Sequence, residues 1–290
     1  MTNKVAMKKN CFIFEAKVQK KLNFFVILHT NNAKNMISKN QIKLIRSLEL
    51  KKNRRRENLF VAEGPKVVGD LLQAGYVPHS IFSTTVRPDA QLITDEELRR
   101  ISFLQHPQEV LALFQIPQSS DFLHQPSSIT HQPSSITHQP PSLALALDGV
   151  QDPGNVGTII RIADWFGIDT IYCSPDTADV YNPKVVQAPM GSLAHVHIIY
   201  CDLLKLFAHC QCPVYGTLLD GKNIYEQPLS ADGIIVMGNE GNGISEAVRQ
   251  HITHRLLIPN YHTGDHTAES LNVAIATAIT CAEFKRRATL

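Results

Sequence analysis

From Leu143 onward, short apolar runs that read as strands alternate with stretches of helical period, and this alternation limits the possible fold more than any other feature. Leu143–Asp148 (LALALD) is apolar at every position but the last, as expected of a parallel strand covered on both faces. Further strands are expected at Thr170–Cys173, His195–Tyr200, Val214–Leu219, Gly233–Met237 and Arg255–Ile258. Helices are expected around Asn155–Phe166, Lys184–Met190, Asp202–His209, Ser245–His251 and Ser270–Arg286. Such alternation needs crossover connections, so it predicts a mainly parallel sheet with helices on both faces. Ahead of it, Ile42, Ile45 and Leu48 recur at helical spacing within Ser38–Leu50. Residues 58–63 then read as a strand, 64–75 as a helix begun at Pro65 and stopped at Gly75, and Asp95–Arg100 as a helix between strands at Ser80–Ser83 and Val110–Phe114. These make a second, smaller α/β unit of roughly 80 residues.

The two α/β units are separated by low-complexity sequence. His-Gln-Pro-Ser-Ser-Ile-Thr occurs twice in tandem from His124 and begins again at His138. Proline, serine and glutamine offer no apolar period, and the repeat is too short for a solenoid, so it reads as a flexible linker. The expected organisation is a basic extension at 1–37, a small α/β unit at 38–116, a linker at 117–142 and a larger α/β unit at 143–290. Met7 and Met36 are alternative starts. The longest early apolar run, Phe24–Leu28, falls far short of the roughly 20 residues that cross a bilayer. The N-terminus also lacks the apolar core and cleavage site of a signal peptide. A cytoplasmic protein is expected, with no membrane partner. Six cysteines without a CxxC pair, and a Cys210-x-Cys212 spacing poor for zinc, are read as reduced thiols without a metal.

The formal net charge of +2 hides an asymmetry: residues 1–60 hold 15 Lys and Arg against 3 Glu and no Asp, leaving the remainder acidic. Such a segment is either a solvated tail or a site for a polyanion, of which nucleic acid is the commonest. Its densest cluster is Lys51, Lys52, Arg54, Arg55 and Arg56, placed between a helical pattern and a strand.

Three segments in the larger unit could carry chemistry. Asp152-Pro-Gly-Asn-Val-Gly157 has two glycines after a strand, yet it fits neither GxGxxG nor GxxxxGK[ST]. What remains is a glycine-permitted turn with Asn155 at a helix start and Arg161 nearly two turns on. Taken alone, Asn155 could be a cap and Arg161 a surface ion-pair partner. Residues 236–245 form a strand ending in a glycine-rich turn around Glu240, which leaves backbone N–H groups open to a ligand. In 258–279, a strand end, a polar loop and Ser-Leu-Asn-Val precede a long apolar helix, with Ser270 read as its N-cap.

Together these segments resemble the SpoU/TrmH family of RNA ribose 2′-O-methyltransferases. The first motif stands as Asn155, Gly157 and Arg161, the second as Gly238-Asn239-Glu240-Gly241, and the third as Ile258-Pro259 with Ser270-Leu271-Asn272-Val273. Residues 184–196 also look like the family's intervening segment, and the similarity runs over about 143–287. By pattern and position, 38–116 looks like the small RNA-binding domain that often precedes this catalytic domain. The resemblance implies an α/β trefoil-knot fold, S-adenosylmethionine as cofactor and a homodimer. It implies cofactor contacts at Leu218, Leu219, Gly238, Ile258 and Leu271. Arg161 would activate the 2′-hydroxyl, with Asn155, Glu240, Ser270 and Asn272 arranging substrate and cofactor. Because guanidinium groups hold their proton, a phosphate held by the arginine is the alternative to a direct base. The loop between Pro259 and Ser270 holds His262, Asp265, His266 and Glu269, read as solvated rather than metal-binding. A ribosomal RNA substrate is expected, with transfer RNA methylation or a non-catalytic RNA-binding role as alternatives.

Overall fold

The computed structural model describes residues 36–117, 142–262 and 270–288. The basic extension up to Asn35, the HQPSSIT repeats, Cys11 and the loop residues Asp265, His266 and Glu269 lie outside the described residues.

The N-terminal unit opens with α1 (Lys39–Ser47), closed by a capping box between Ser38 and Gln41. Sequence reading left the basic cluster between elements, but it forms a seven-residue helix, α2 (Lys51–Glu57), ended by Asn58 in the left-handed region at φ 54°. Lysine and arginine favour helix, while the cluster's lack of apolar period hid it. A four-stranded sheet follows from β1 (Leu59–Glu63), β2 (Pro78–Ser83), β3 (Gln91–Leu92) and β4 (Val110–Gln115), in the order β1-β4-β2-β3. Between them run α3 (Pro65–Gln73) and α4 (Asp95–Ile101), the latter capped by Thr94 and Glu97.

The C-terminal unit holds β5 (Leu143–Asp148), α5 (Pro153–Trp165), β6 (Thr170–Cys173), α6 (Pro183–Gln187), β7 (His197–Tyr200) and α7 (Leu203–His209). It continues through β8 (Val214–Asn223), β9 (Gly233–Gly238), α8 (Glu246–Arg249), β10 (His254–Leu257) and α9 (Val273–Ala288). All six strands pair in parallel in the order β10-β8-β9-β5-β6-β7. β8 runs past the expected Leu219 because its pairing with β10 shifts register between Arg255 and Leu256. Helix α8 is one turn, shorter than the expected Ser245–His251. From β5 the chain crosses to β6 on one side, and from β9 to β10 on the other. The carboxyl ends of β5 and β9 therefore flank a topological switch point, where open parallel sheets bind ligands.

Apolar side chains fill both faces of the parallel sheet, and one of these clusters continues into the N-terminal unit through Phe60, Val68 and Phe114. Phe60 packs against Tyr181 with ring centroids 4.8 Å apart. Cys210 and Cys212, expected as thiols, are paired in a disulfide. The turn from α7 into β8 brings their Cα atoms to 5.5 Å, within disulfide reach, which the spacing argument against zinc did not address. Cys173, Cys201 and Cys281 are free thiols. No helix among the described residues is long and apolar enough to cross a membrane.

The end of α9 is tied down by the buried Glu283, which accepts from Arg286 and Arg287 at 2.7–2.8 Å. Arg287 also donates to the carbonyls of Gln227 and Tyr225. The two guanidinium groups pull the Glu283 carboxyl down to about 2. A depressed carboxylate stabilises the fold above its unfolded value and loses that contribution as the pH falls towards its folded value. Thermal unfolding from pH 6 down to pH 2 is therefore expected to show a loss of stability below about pH 4.5 that Glu283→Gln largely removes.

Candidate active site

Asp152 caps α5, its Oδ1 accepting from the Asn155 N–H at 2.8 Å, and Pro153 takes the first helical position. The helix thus starts two residues earlier than expected, and Asn155 lies in its first turn. Nor do the glycines shape a phosphate-loop turn. Gly157 is inside the helix, where a Cβ would sit 2.5 Å from Ala188 Cβ and 3.2 Å from the Val185 carbonyl oxygen. Its missing side chain lets α5 and α6 approach closely.

With its backbone fixed, the Asn155 side chain joins the other two motifs. Asn155 Nδ2 donates to Glu240 Oε1 at 2.8 Å, and Asn155 Oδ1 accepts from Asn272 Nδ2 at 2.9 Å. Asn272 Oδ1 accepts in turn from the N–H groups of Ala274 and Ile275, at 3.0 and 3.3 Å. Asn272, not Ser270, is therefore the N-cap of α9; Ser270 is exposed and outside this network. Donor and acceptor logic fixes both amides. The N–H groups of α9 demand the Asn272 oxygen, which turns its Nδ2 to Asn155 and Asn155 Nδ2 to the carboxylate. Three segments distant in sequence are thus coupled at the carboxyl edge of the sheet.

The loop bearing Glu240 is closed and clamped. Asn239 and Gly243 exchange two backbone hydrogen bonds of 2.9 Å, and Asn239 Oδ1 accepts from Gly241 and Asn242. Asn239 Nδ2 reaches across to the Gly149 carbonyl at 2.7 Å, and Asp148 Oδ2 accepts from Ser245 N at 2.7 Å. At Gly238 a Cβ would fall 2.2 Å from the carbonyl carbon of Gly243, so only glycine fits the backbone crossing there. Asp148, Asp152 and Asn239 were given no role from sequence, although Asn239 stands inside the second motif and Asp152 heads the first segment. Asp-Pro at a helix start was a readable sign for Asp152, whereas the long-range partners of Asp148 and Asn239 carry no local signal.

Arg161 stands exposed on α5, about 9 Å along the axis from Asn155 by helical rise. It makes no hydrogen bond or ion pair among the described residues. Leu218 lies two residues past Gly216, which pairs with Val236, so it is level with Gly238 on the neighbouring strand. Leu218 is 8% exposed and packs in the core, while Leu219 is 74% exposed. Ile258 follows β10 and is half-buried, and Leu271 is exposed before α9. The strand order β10-β8-β9 sets Ile258, Leu218, Leu219 and Gly238 at three neighbouring strands.

Within the basic cluster the structure separates one residue from the rest. Lys52, Arg55 and Arg56 are exposed and Lys51 is half-buried, but Arg54 is buried in an ion pair with Asp179. Arg54 is thereby removed from the surface expected to meet RNA, because a guanidinium engaged on a carboxylate inside the fold cannot also reach a phosphate.

A model of the SpoU rRNA Methylase family matches residues 142–282, and a model of the MRM3-like substrate binding domain matches 39–112. The 23S rRNA (guanosine(2553)-2′-O)-methyltransferase RlmP of Bacillus subtilis is 31% identical over 259 residues, which span 83% of this chain and 95% of that protein. This chain belongs to the SpoU rRNA methylase family. A solved TrmH-family protein from Porphyromonas gingivalis is 42% identical, with a TM-score of 0.71 over 87% of this chain and 100% of its own. The AdoMet-bound rRNA methyltransferase of Sinorhizobium meliloti is 27% identical, with a TM-score of 0.72 over 88% of this chain and 98% of its own. The SpoU family match takes in β5 through most of α9, and with it Asn155, Glu240 and Asn272. The family resemblance drawn from the three motifs is thus met.

Proposed function

We propose that this protein transfers a methyl group from S-adenosylmethionine to a ribose 2′-hydroxyl of ribosomal RNA. The observation that carries this reading is the hydrogen-bonded convergence of Asn155, Glu240 and Asn272 beside the switch point of a parallel sheet. The matching relatives, named as 23S rRNA 2′-O-methyltransferases, supply the substrate class. A cofactor cradle fits the residues present. Gly238 ends β9 directly under the Glu240 loop, where the backbone crossing admits only glycine, and Leu219 and Leu271 offer exposed apolar surface. The backbone of Leu218, the half-buried Ile258 and these three would hold S-adenosylmethionine. When bound, it supplies a methyl group activated by its sulfonium.

The chain's own residues place the nucleophile. Asn155, locked by its two neighbours, and the Glu240 carboxylate set the polar wall against which the ribose is oriented, with Ser270 at its edge. Much of the acceleration comes from such fixed placement. Arg161, without a partner among the described residues, takes an RNA phosphate by a planar bidentate contact, holding the hydroxyl in line. The reading divides the chain into an RNA-holding unit at 38–116 and a catalytic unit at 143–290, joined by the linker. It brings with it the family's trefoil knot, a homodimer and a cytoplasmic setting.

Incubation with tritium-labelled S-adenosylmethionine and separated RNA fractions tests the reading. Label is expected in ribosomal RNA; label confined to transfer RNA would move the substrate, and bound cofactor without transfer to any RNA would overturn catalysis. The exposed cations of α2 are expected to supply affinity rather than chemistry. Changing Lys51, Lys52, Arg55 and Arg56 together to glutamine should weaken RNA binding and reduce the dependence of log K on log salt by about three, at roughly 0.7 per single-strand phosphate contact. An unchanged salt dependence in filter-binding titrations would place the RNA elsewhere.

A further inference from the structure

The middle of the basic cluster holds a different device from its ends. Arg54 Nε and Nη2 both donate to Asp179 Oδ2, at 3.1 and 2.6 Å, and Nη1 donates to the carbonyls of Leu48 and Glu49, both at 2.7 Å. Four of the five donors of a guanidinium are thus engaged inside the protein. The side chains of Arg54 and Asp179 are 2% and 14% exposed, so the pair is largely out of water. It joins the N-terminal unit, through α2, to the segment between β6 and α6 of the C-terminal unit. That segment is itself tied to the turn leading into α5. Gly149 N donates to Ser174 Oγ at 2.9 Å, and Ala178 N donates to the Val150 carbonyl at 2.9 Å. Beyond it, Asp179 Oδ1 accepts from Tyr181 N at 3.1 Å, and the Tyr181 ring lies on Phe60 of β1.

A chain of short contacts therefore runs from α2 through Asp179 to Gly149 and Val150, two to six residues ahead of Asp152 and Asn155. Gly149 also receives Asn239 from the Glu240 loop. We infer that Arg54 and Asp179 are positioning residues that hold the exposed cations of α2 at a fixed distance and angle from the Asn155–Glu240–Asn272 centre. This inference rests on the RNA methyltransferase reading above. Apolar side chains of similar volume would serve bare packing equally well, since a buried ion pair is weak as a source of stability. What the planar fork adds is a single permitted orientation of α2. RNA gripped on α2 then meets Arg161 at one spacing, so the pair sets which structured RNAs bring a ribose to the site.

The test is a double-mutant cycle on the full-length protein with Arg54→Gln, Asp179→Asn and the two combined. Transfer to ribosomal RNA is measured as kcat and KM, S-adenosylmethionine affinity by calorimetry, and radius of gyration by solution scattering. Each single change is expected to lower kcat/KM about ten-fold or more, chiefly through KM, with cofactor affinity unchanged. The double variant should be no worse than either single one, because each change alone already releases the lock. The radius of gyration should rise in all three, with or without RNA. Losses that multiply in the double variant, as for an arginine acting on RNA by itself, would overturn the inference, as would unchanged KM and unchanged radius. Absence of transfer by the unaltered protein would instead refute the methyltransferase reading, leaving the scattering comparison to decide the lock. Arg54→Lys, which keeps the charge but loses the fork, guards against a folding defect: it should keep cofactor binding and restore KM only in part. Full restoration by lysine would overturn the role given to the fork.

Discussion

Arg161→Ala is expected to lower methyl transfer to RNA by about 10²- to 10³-fold, the scale seen when one preorganised donor is removed from a reacting centre. The same variant should bind S-adenosylmethionine within about two-fold of the unaltered protein. The two halves of this expectation follow from where Arg161 stands. It is exposed on α5 and makes no hydrogen bond or ion pair among the described residues, so its loss leaves the fold intact. It also lies on the α5 side of the site, away from the β8, β9 and β10 ends that carry Leu219, Gly238 and Ile258. Arg161→Lys should recover only a small part of the rate, because a point charge lacks the guanidinium's bidentate geometry towards phosphate. Single-turnover rates with calorimetric cofactor titrations check both halves. A variant that loses cofactor binding along with activity would contradict the assignment of Arg161 to the RNA side.

Gly238→Ala should instead lose cofactor binding together with transfer. Its Cβ would lie 2.2 Å from the Gly243 carbonyl carbon and 2.3 Å from Ile244 N, and neither backbone atom can move without opening the loop. Opening it breaks the Asn239–Gly243 pairing and displaces Glu240 from Asn155. Cofactor affinity and transfer should therefore both fall, by about 100-fold or more, and the midpoint of thermal unfolding should drop as overpacking is relieved by strain. Gly241→Ala is the control. Its Cβ would meet only Asn239 Oδ1 at 3.5 Å, an ordinary contact, so cofactor binding should survive. Equal losses at the two positions would show that the loop responds to any substitution rather than to the crossing at Gly238.

Much of this site was legible in the sequence because its residues are announced by local grammar. Leu143–Asp148 and Thr170–Cys173 appear as strands at the bounds expected, since buried parallel strands write themselves as apolar runs. Asn155 and Glu240 were marked by glycine or proline punctuation nearby, and Asn272 by its place in Ser-Leu-Asn-Val ahead of a long apolar helix. What the sequence could not show is their mutual contact, which depends on the strand order that brings residues 85 and 117 positions apart together. Arg54 is the sharper case. Five cations in six residues look alike in a string, and only the packing of α2 against the segment holding Asp179 turns one of them inward. Ser270 was read as the cap because the first helical residue, Val273, cannot be placed from the apolar run alone, and Gly157 imitates a turn because the need for close helix packing leaves the same mark as the need for a turn.

If the Asn155–Glu240–Asn272 centre methylates a ribose, the chemical identity of the product reveals it. Ribosomal RNA from cells lacking the gene would be incubated with the pure protein and labelled S-adenosylmethionine, then digested to nucleosides and resolved by mass. Label is expected in one nucleoside, on its ribose 2′-oxygen, and none when Asn155→Ala replaces the unaltered protein. Label on a base, or ribose labelling that persists without Asn155, would contradict it.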